Sequence, residues 1–283
     1  PDYLGGIDAM GIDNWTIRDC VARGIYSESR NSNAMIFLWS GASNLTVERN
    51  CFYDCQKDIA LGNPYYGGGA GGWHTGNWQV SGAVVRNNMA LRSTGYDGNN
   101  IGLELVNTKD VKIYNNAFYS DDAEYFRQIS IQDGNAPYAG PTTNLQVADN
   151  IIRGRVYDIS SGDWSAAALQ AMGNIVDTTG ATVTGGWFVN TSVADFHLTE
   201  EAILAIGHGA VRVDVPTDFD QEARPYGNTP DKGADEWRLA GDANLDYDVD
   251  FADYQTLEPN FGKGTTWAQG DFDHDRDVDF ADY

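Results

Sequence analysis

The phrases TVERNC (46–51), VVRNNM (84–89), KIYNNA (112–117) and QVADNI (146–151) decide the fold of this chain. Each alternates apolar and polar residues at strand period and closes on an asparagine, in turn Asn50, Asn88, Asn116 and Asn150. TIRDC, ending at Cys20, and a degenerate AMGNIV containing Asn174 extend the series, so the rungs are 30, 38, 28, 34 and 24 residues apart. A second apolar run recurs between them, as MIFLW (35–39), DIALG (58–62), IGLEL (101–105), QISIQ (128–132) and VYDIS (156–160). Strands recurring at a long repeat, with no helical periodicity between them, predict a parallel β-solenoid. Consecutive coils then lie about 4.8 Å apart and like residues form ladders. Asparagine suits the corners, because it tolerates a left-handed backbone and bonds peptide groups of the adjoining coil. These asparagines are therefore read as turn formers, not catalysts.

Over roughly residues 1 to 190 the pattern resembles the right-handed parallel β-helix superfamily, which includes pectate, alginate and chondroitin lyases and polygalacturonase-type hydrolases. The resemblance implies an all-β chain with β-helix coils over 1–184. The phrase DFDQEARPYGNTPDKGADEW (218–237) looks like the closing segment of secreted bacterial β-helix proteins, so 185–238 is expected to cover an open end of the stack. Further coils are expected to precede Pro1.

The acidic C-terminal stretch repeats itself. GDANLDYDVDFADY begins at Gly241 and GDFDHDRDVDFADY at Gly270. Oxygen-bearing residues fall at loop positions 1, 3, 5, 7, 9 and 12: Asp242, Asn244, Asp246, Asp248, Asp250 and Asp253, then Asp271, Asp273, Asp275, Asp277, Asp279 and Asp282. Calcium takes six to eight oxygens and is held by 12-residue loops with this spacing. A solvated acidic tail would have no reason to place Val249 and Phe251, then Val278 and Phe280, at matching offsets. Two calcium ions are predicted. Position 6, normally glycine, carries Tyr247 and Arg276, each facing a cost of about 1 kcal/mol for a left-handed backbone. Residues 241–283 resemble a type I dockerin, a small α-helical, EF-hand-like module that docks into a cohesin. In that family, positions 10 and 11 choose the partner; here they are Phe251 and Ala252, and Phe280 and Ala281. The resemblance implies a cohesin-like or other protein partner, or a self-assembling matrix. The module is expected to be truncated, since its second helix barely begins before Tyr283.

Net charge is −23, and 241–283 carries 12 acids against Lys263 and Arg276. Such a surface disfavours nucleic acid. No apolar run reaches the length of a membrane span. Loops of modest affinity suit the millimolar calcium outside cells, and the resemblances to dockerins and to bacterial β-helix proteins imply a secreted bacterial chain compatible with cell-surface association. Cys20, Cys51 and Cys55 permit one disulfide with a free thiol, or three small buried hydrophobes.

On a solenoid, chemistry belongs to outward-facing side chains. Arg18, Glu48 and Arg86 read as a surface salt-bridge ladder. The second run is expected to present Phe37, Ala60, Gly102 and Ser130 beside Trp39, Gly62, Glu104 and Gln132, a trough of small and polar residues. The adjoining insertion GNPYYGGGAGGWHTGNW (62–78) supplies Tyr65, Tyr66, Trp73, His74 and Trp78. Those aromatics, with Trp39 and Gln132, are the candidate polysaccharide contacts. Cleavage of a uronate chain by elimination needs a cation at the carboxylate and a base for the α-proton. Arg127, His74 and Tyr125 could serve, with Glu104 or Asp58 holding a further calcium. A hydrolase needs two carboxylates, for which Asp58 and Glu104 are the attractive pair. Neither class shows its full signature, and elimination is favoured. The rival is a non-catalytic structural or adhesive protein, a β-helix rod with a dockerin-like coupling end.

Overall fold

A computed structural model describes residues 4–27, 33–64, 77–93, 101–121, 127–134 and 140–282, and divides the chain into two compact units, Pro1–Glu236 and Trp237–Tyr283. The first unit is built from three parallel sheets. Sheet A stacks Ile7–Met10, Ile36–Trp39, Lys57–Leu61, Ile101–Val106, Arg127–Gln132 and Val156–Ile159. Sheet B stacks Thr16–Arg18, Ala42–Glu48, Val80–Arg86, Thr108–Tyr114 and Thr143–Ala148. Sheet C stacks Val21–Arg23, Cys51–Tyr53, Met89–Arg92, Ala117–Ser120, Ile151–Arg153 and Ile175–Asp177. Within each sheet, neighbours are parallel and follow chain order, so the chain visits A, B and C once per lap. The arrangement is mostly β and compatible with a solenoid. Sheet C was not foreseen, because its strands of three or four residues are too short to display a period.

Alternation fills the interior. Ile36, Ile59, Leu103 and Ile129 form one ladder across sheet A, while Val47, Val85, Ile113 and Val147 form another across sheet B; all are buried in one core. The corner between B and C belongs to the asparagines. The side-chain oxygen of Asn88 accepts from the backbone N–H and the amide of Asn50, at 3.0 and 2.9 Å. Asn116 does the same for Asn88, Asn150 for Asn116 and Asn174 for Asn150. Their amides also donate to the carbonyls of Ile17, Val47, Val85, Ile113 and Val147. The left-handed backbone, expected on the asparagine itself, falls one residue earlier, on Asp19, Arg49, Asn87, Asn115, Asp149 and Gly173. One residue turns the corner and the next bonds the coils together.

At the last lap a helix, α1 (Ala166–Ala171), intervenes before sheet C. Ser165 caps it through the N–H of Ala168, and Leu169 inserts into the core. Residues beyond Phe188 form an antiparallel pair, Phe188–Asn190 with Asp195–Leu198, whose Phe188 and Phe196 pack on Tyr119. From there to Glu236 the chain bonds the B/C corner. Asn87 donates to the Thr217 carbonyl, Asn115 to that of Asp231, and Arg212 to the Asp149 carboxylate. This segment also meets the expected surface ladder at Arg86, which donates to the Asp214 carbonyl; Glu48 is buried, paired with Arg49 at 3.0 Å and with Arg86 at 2.6 Å, while Arg18 stays exposed. The three cysteines are free, and burial pushes the thiols of Cys51 and Cys55 up to about 11. Among the described residues, no helix is long and apolar enough to cross a membrane.

Asp177, closing the last strand of sheet C, organises the turn after it. Burial alone would raise its carboxyl, but the N–H groups of Val183, Thr182, Thr179 and Gly180 outweigh that and lower it to about 2. A carboxyl depressed in the folded state stabilises above its unfolded value near 3.8, and that stability is lost as pH falls through the folded value. Asp177→Asn is therefore expected to lower stability at neutral pH, with the gap to the parent closing between pH 4 and 2. Unfolding midpoints measured across that range check it; a gap independent of pH would contradict it.

The second unit carries α2 (Phe251–Leu257), begun by a capping box in which Asp250 and Asp253 satisfy each other's backbone. Trp267 is its buried centre, donating to the Asp242 carbonyl at 2.9 Å and packing against Phe272 and His274.

Candidate functional site

The two acidic loops have matching hydrogen-bond frames. In the first, Asp242 takes the N–H groups of Asp246 and Tyr247, while Asp253 takes those of Asn244 and Asp250. In the second, Asp271 takes that of Arg276, while Asp282 takes those of Phe272, Asp273 and Asp279. Positions 4 and 6 are left-handed in both: Leu245 and Tyr247 at φ 64° and 72°, His274 and Arg276 at 59° and 74°. Side chains at position 6 thus do adopt the backbone that glycine would favour. Carboxylate oxygens of Asp271, Asp273 and Asp275 lie within 4.8 Å of one another. Asp271 is buried, and its Oδ1 has no hydrogen-bond partner. Burial and then neighbouring carboxylates raise Asp273, and Asp275 foremost raises Asp277, the response of crowded anions.

The trough on sheet A differs from its expected form. Glu104 stands beside Ala60 and Ser130, two residues out of the anticipated register, because Ile101 pairs with Lys57 and Leu103 with Ile59. Gly102 thus leaves the row of Ala60, and Val106 takes the place beside Gln132. The side chains are also covered: Glu104 is 2 % exposed, Ser130 0 % and Gln132 8 %. Glu104 pairs with Lys57 at 3.0 Å and accepts from Gln132 at 3.0 Å, so these three come together. Asp58 is wholly buried and paired with Arg92. Burial pushes its carboxyl up to about 7, against the pull of Arg92. Arg127 lies over the Tyr157 ring at 3.9 Å. Trp39 stacks on Phe37 and donates to Asp8, and Lys109 stands 6.0 Å from the Trp78 ring. Tyr65, Tyr66, Trp73, His74 and Tyr125 lie outside the described residues.

A further cluster was missed in the sequence because its members come from distant segments. His197 shares a hydrogen bond through Nδ1 with Asp195 at 2.6 Å and through Nε2 with Asp220 at 2.8 Å. Asp235 lies alongside and accepts the Leu198 N–H at 2.7 Å. The signal available was only DFH (195–197) and the acids of 218–236.

Comparison with protein-family models, with curated proteins and with solved structures found no match.

Proposed function

We propose that this chain is a secreted, carbohydrate-active right-handed parallel β-helix protein that binds and cleaves an extracellular uronate-containing polysaccharide. A calcium-dependent module of the type I dockerin kind couples it to a cohesin-like or other protein partner. The observation that carries the reading is the doubled loop frame. Two 12-residue loops place carboxylates at positions 1 and 12 on equivalent backbone N–H groups, and the buried Oδ1 of Asp271 is left for a cation. Asp242, Asn244, Asp246, Asp248, Asp250 and Asp253 would hold one calcium, and Asp271, Asp273, Asp275, Asp277, Asp279 and Asp282 the other. Calcium would neutralise the mutual repulsion of these acids and fix the loops.

On the β-helix, Asp58 and Glu104 are each neutralised by their own cation, which argues against the free carboxylate pair a hydrolase needs. Elimination is the better supported cleavage chemistry, with Arg127 meeting the uronate carboxylate and His74 or Tyr125 taking the α-proton. The same ion pairing favours one second reading, a non-catalytic rod with a calcium-dependent coupling end.

Hydrogen exchange of the whole chain with and without calcium tests the module. Amides of Tyr247, Asp250, Arg276 and Asp279 are expected to lose protection on chelation, while the amides of Asn88 and Asn116 keep theirs. Loop protection unchanged by chelation would remove calcium from the account.

A further inference from the structure

The first unit contains a second grouping of metal-binding side chains, away from the acidic loops. His197, Asp220 and Asp235 offer ligand atoms that all lie within 4.8 Å of one another. They converge from three segments. His197 stands on the strand Asp195–Leu198, and the Phe219 N–H donates to the Ala234 carbonyl at 2.9 Å, fastening the chain at 218–220 to that at 234–235.

Two features distinguish this grouping from a plain ion-pair staple. The first is the orientation of the imidazole. Asp195 engages Nδ1 at 2.6 Å, which leaves Nε2 as the atom turned toward Asp220. A carboxylate behind one ring nitrogen is the usual support for a histidine whose other nitrogen binds a metal. The second is Asp218. It is 1 % exposed, its Oδ1 accepts the N–H groups of Asp220 and Glu222, and its Oδ2 has no hydrogen-bond partner. The Oδ1 bond to the Asp220 N–H, at 3.0 Å, ties the orphan-bearing carboxylate to the same turn as that candidate ligand. A buried carboxylate oxygen with no partner is costly, and a cation nearby removes that cost. His197 and Asp220 keep 18 % and 23 % of their side chains exposed, which leaves a way in from solvent.

We propose that His197, Asp220 and Asp235 form a binding site for a divalent first-row transition metal, with Zn²⁺ the ion to test, oriented by Asp195 and backed by Asp218. One imidazole nitrogen with two or three carboxylate oxygens suits zinc, whereas calcium is bound through oxygen alone. In the metal-free chain Nε2 and Asp220 share a proton; the ion takes its place. Bound there, the metal fastens the segment that bonds the B/C corner to the strand Asp195–Leu198.

The test uses the whole chain, stripped of metal and returned to millimolar calcium so that the acidic loops are occupied. One Zn²⁺ per chain is expected by calorimetry. His197→Gln abolishes uptake, Asp195→Asn weakens it by about 10–100-fold, and Asp271→Asn in the acidic loop leaves it unchanged. X-ray absorption at the zinc edge of the parent chain is expected to show one imidazole among oxygen neighbours, a reading that stands even if His197→Gln does not fold. Absence of uptake by the parent, an oxygen-only shell, or full uptake by a folded His197→Gln chain would each overturn the site. None of these results depends on the polysaccharide reading or on the acidic loops.

Discussion

Asn116→Ala is expected to destabilise the Pro1–Glu236 unit by about 4 kcal/mol, because each buried group left without a partner costs about 1–3 kcal/mol. The side chain donates to the carbonyls of Val85 and Tyr114 and to Asn150 Oδ1, and accepts the backbone N–H and the amide of Asn88. Truncation strands the Asn88 N–H, takes one acceptor from the Asn88 amide and one donor from the Val85 carbonyl, all inside the stack. Volume does not explain such a loss. Asn116→Asp, of nearly the same shape, is expected to cost at least as much, because it turns two donors into acceptors facing oxygens. Denaturant midpoints of both variants, with hydrogen exchange along sheets B and C, check this. An Asn116→Asp chain as stable as the parent would show that the ladder fills space and does not bind the coils.

The second large effect is expected at Arg92, whose guanidinium is fully buried against Asp58 and also donates to the carbonyls of Leu91 and Ile101. Breaking a buried pair by removing one partner costs about 3–5 kcal/mol, whereas replacing both by apolar residues is often close to neutral. Asp58 decides when the cost appears. Its folded value is raised from 3.8 to about 7, so its contribution to stability is present below the unfolded value and is lost as pH rises through the folded one. Arg92→Met raises the folded value further. At acid pH the carboxyl is neutral with or without Arg92, and the deficit is small. Above pH 7 only the parent offers the carboxylate a counter-charge, and the deficit grows toward its full size. The double change Arg92→Met with Asp58→Leu is expected to remove that pH dependence. A deficit equal at pH 5 and pH 9 would assign the loss to packing alone.

Both expectations concern features that the sequence displays unevenly. Most strands of sheets A and B and the asparagine rungs were legible because alternation runs for four to seven residues and the asparagine recurs at the B/C corner from Asn50 onward. Sheet C was not, since Val21–Arg23, Cys51–Tyr53 and Ile151–Arg153 are three residues each. The register of Ile101–Val106 was ambiguous for another reason. Ile101, Leu103 and Leu105 are equally apolar, so alternation fixes the face but not the row, and the two-residue difference puts Glu104 beside Ala60. The partner of Arg86 at the Asp214 carbonyl comes from a segment more than a hundred residues further along the chain, which no local pattern reports. The repeat of the two acidic stretches was legible because it is local, and their matching hydrogen-bond frames lie within twelve residues each. The His197 cluster lay at the other extreme, assembled from three segments that only the fold brings together.

The most direct measurement is incubation of the whole chain, in calcium, with a panel of uronate and neutral polysaccharides, following both new reducing ends and the ultraviolet absorbance of an unsaturated uronate. The proposed function predicts reducing ends and that absorbance together, on uronate chains only. Reducing ends without the absorbance would contradict elimination, and no binding or cleavage of any polysaccharide would contradict the carbohydrate reading and leave the rod with its coupling module.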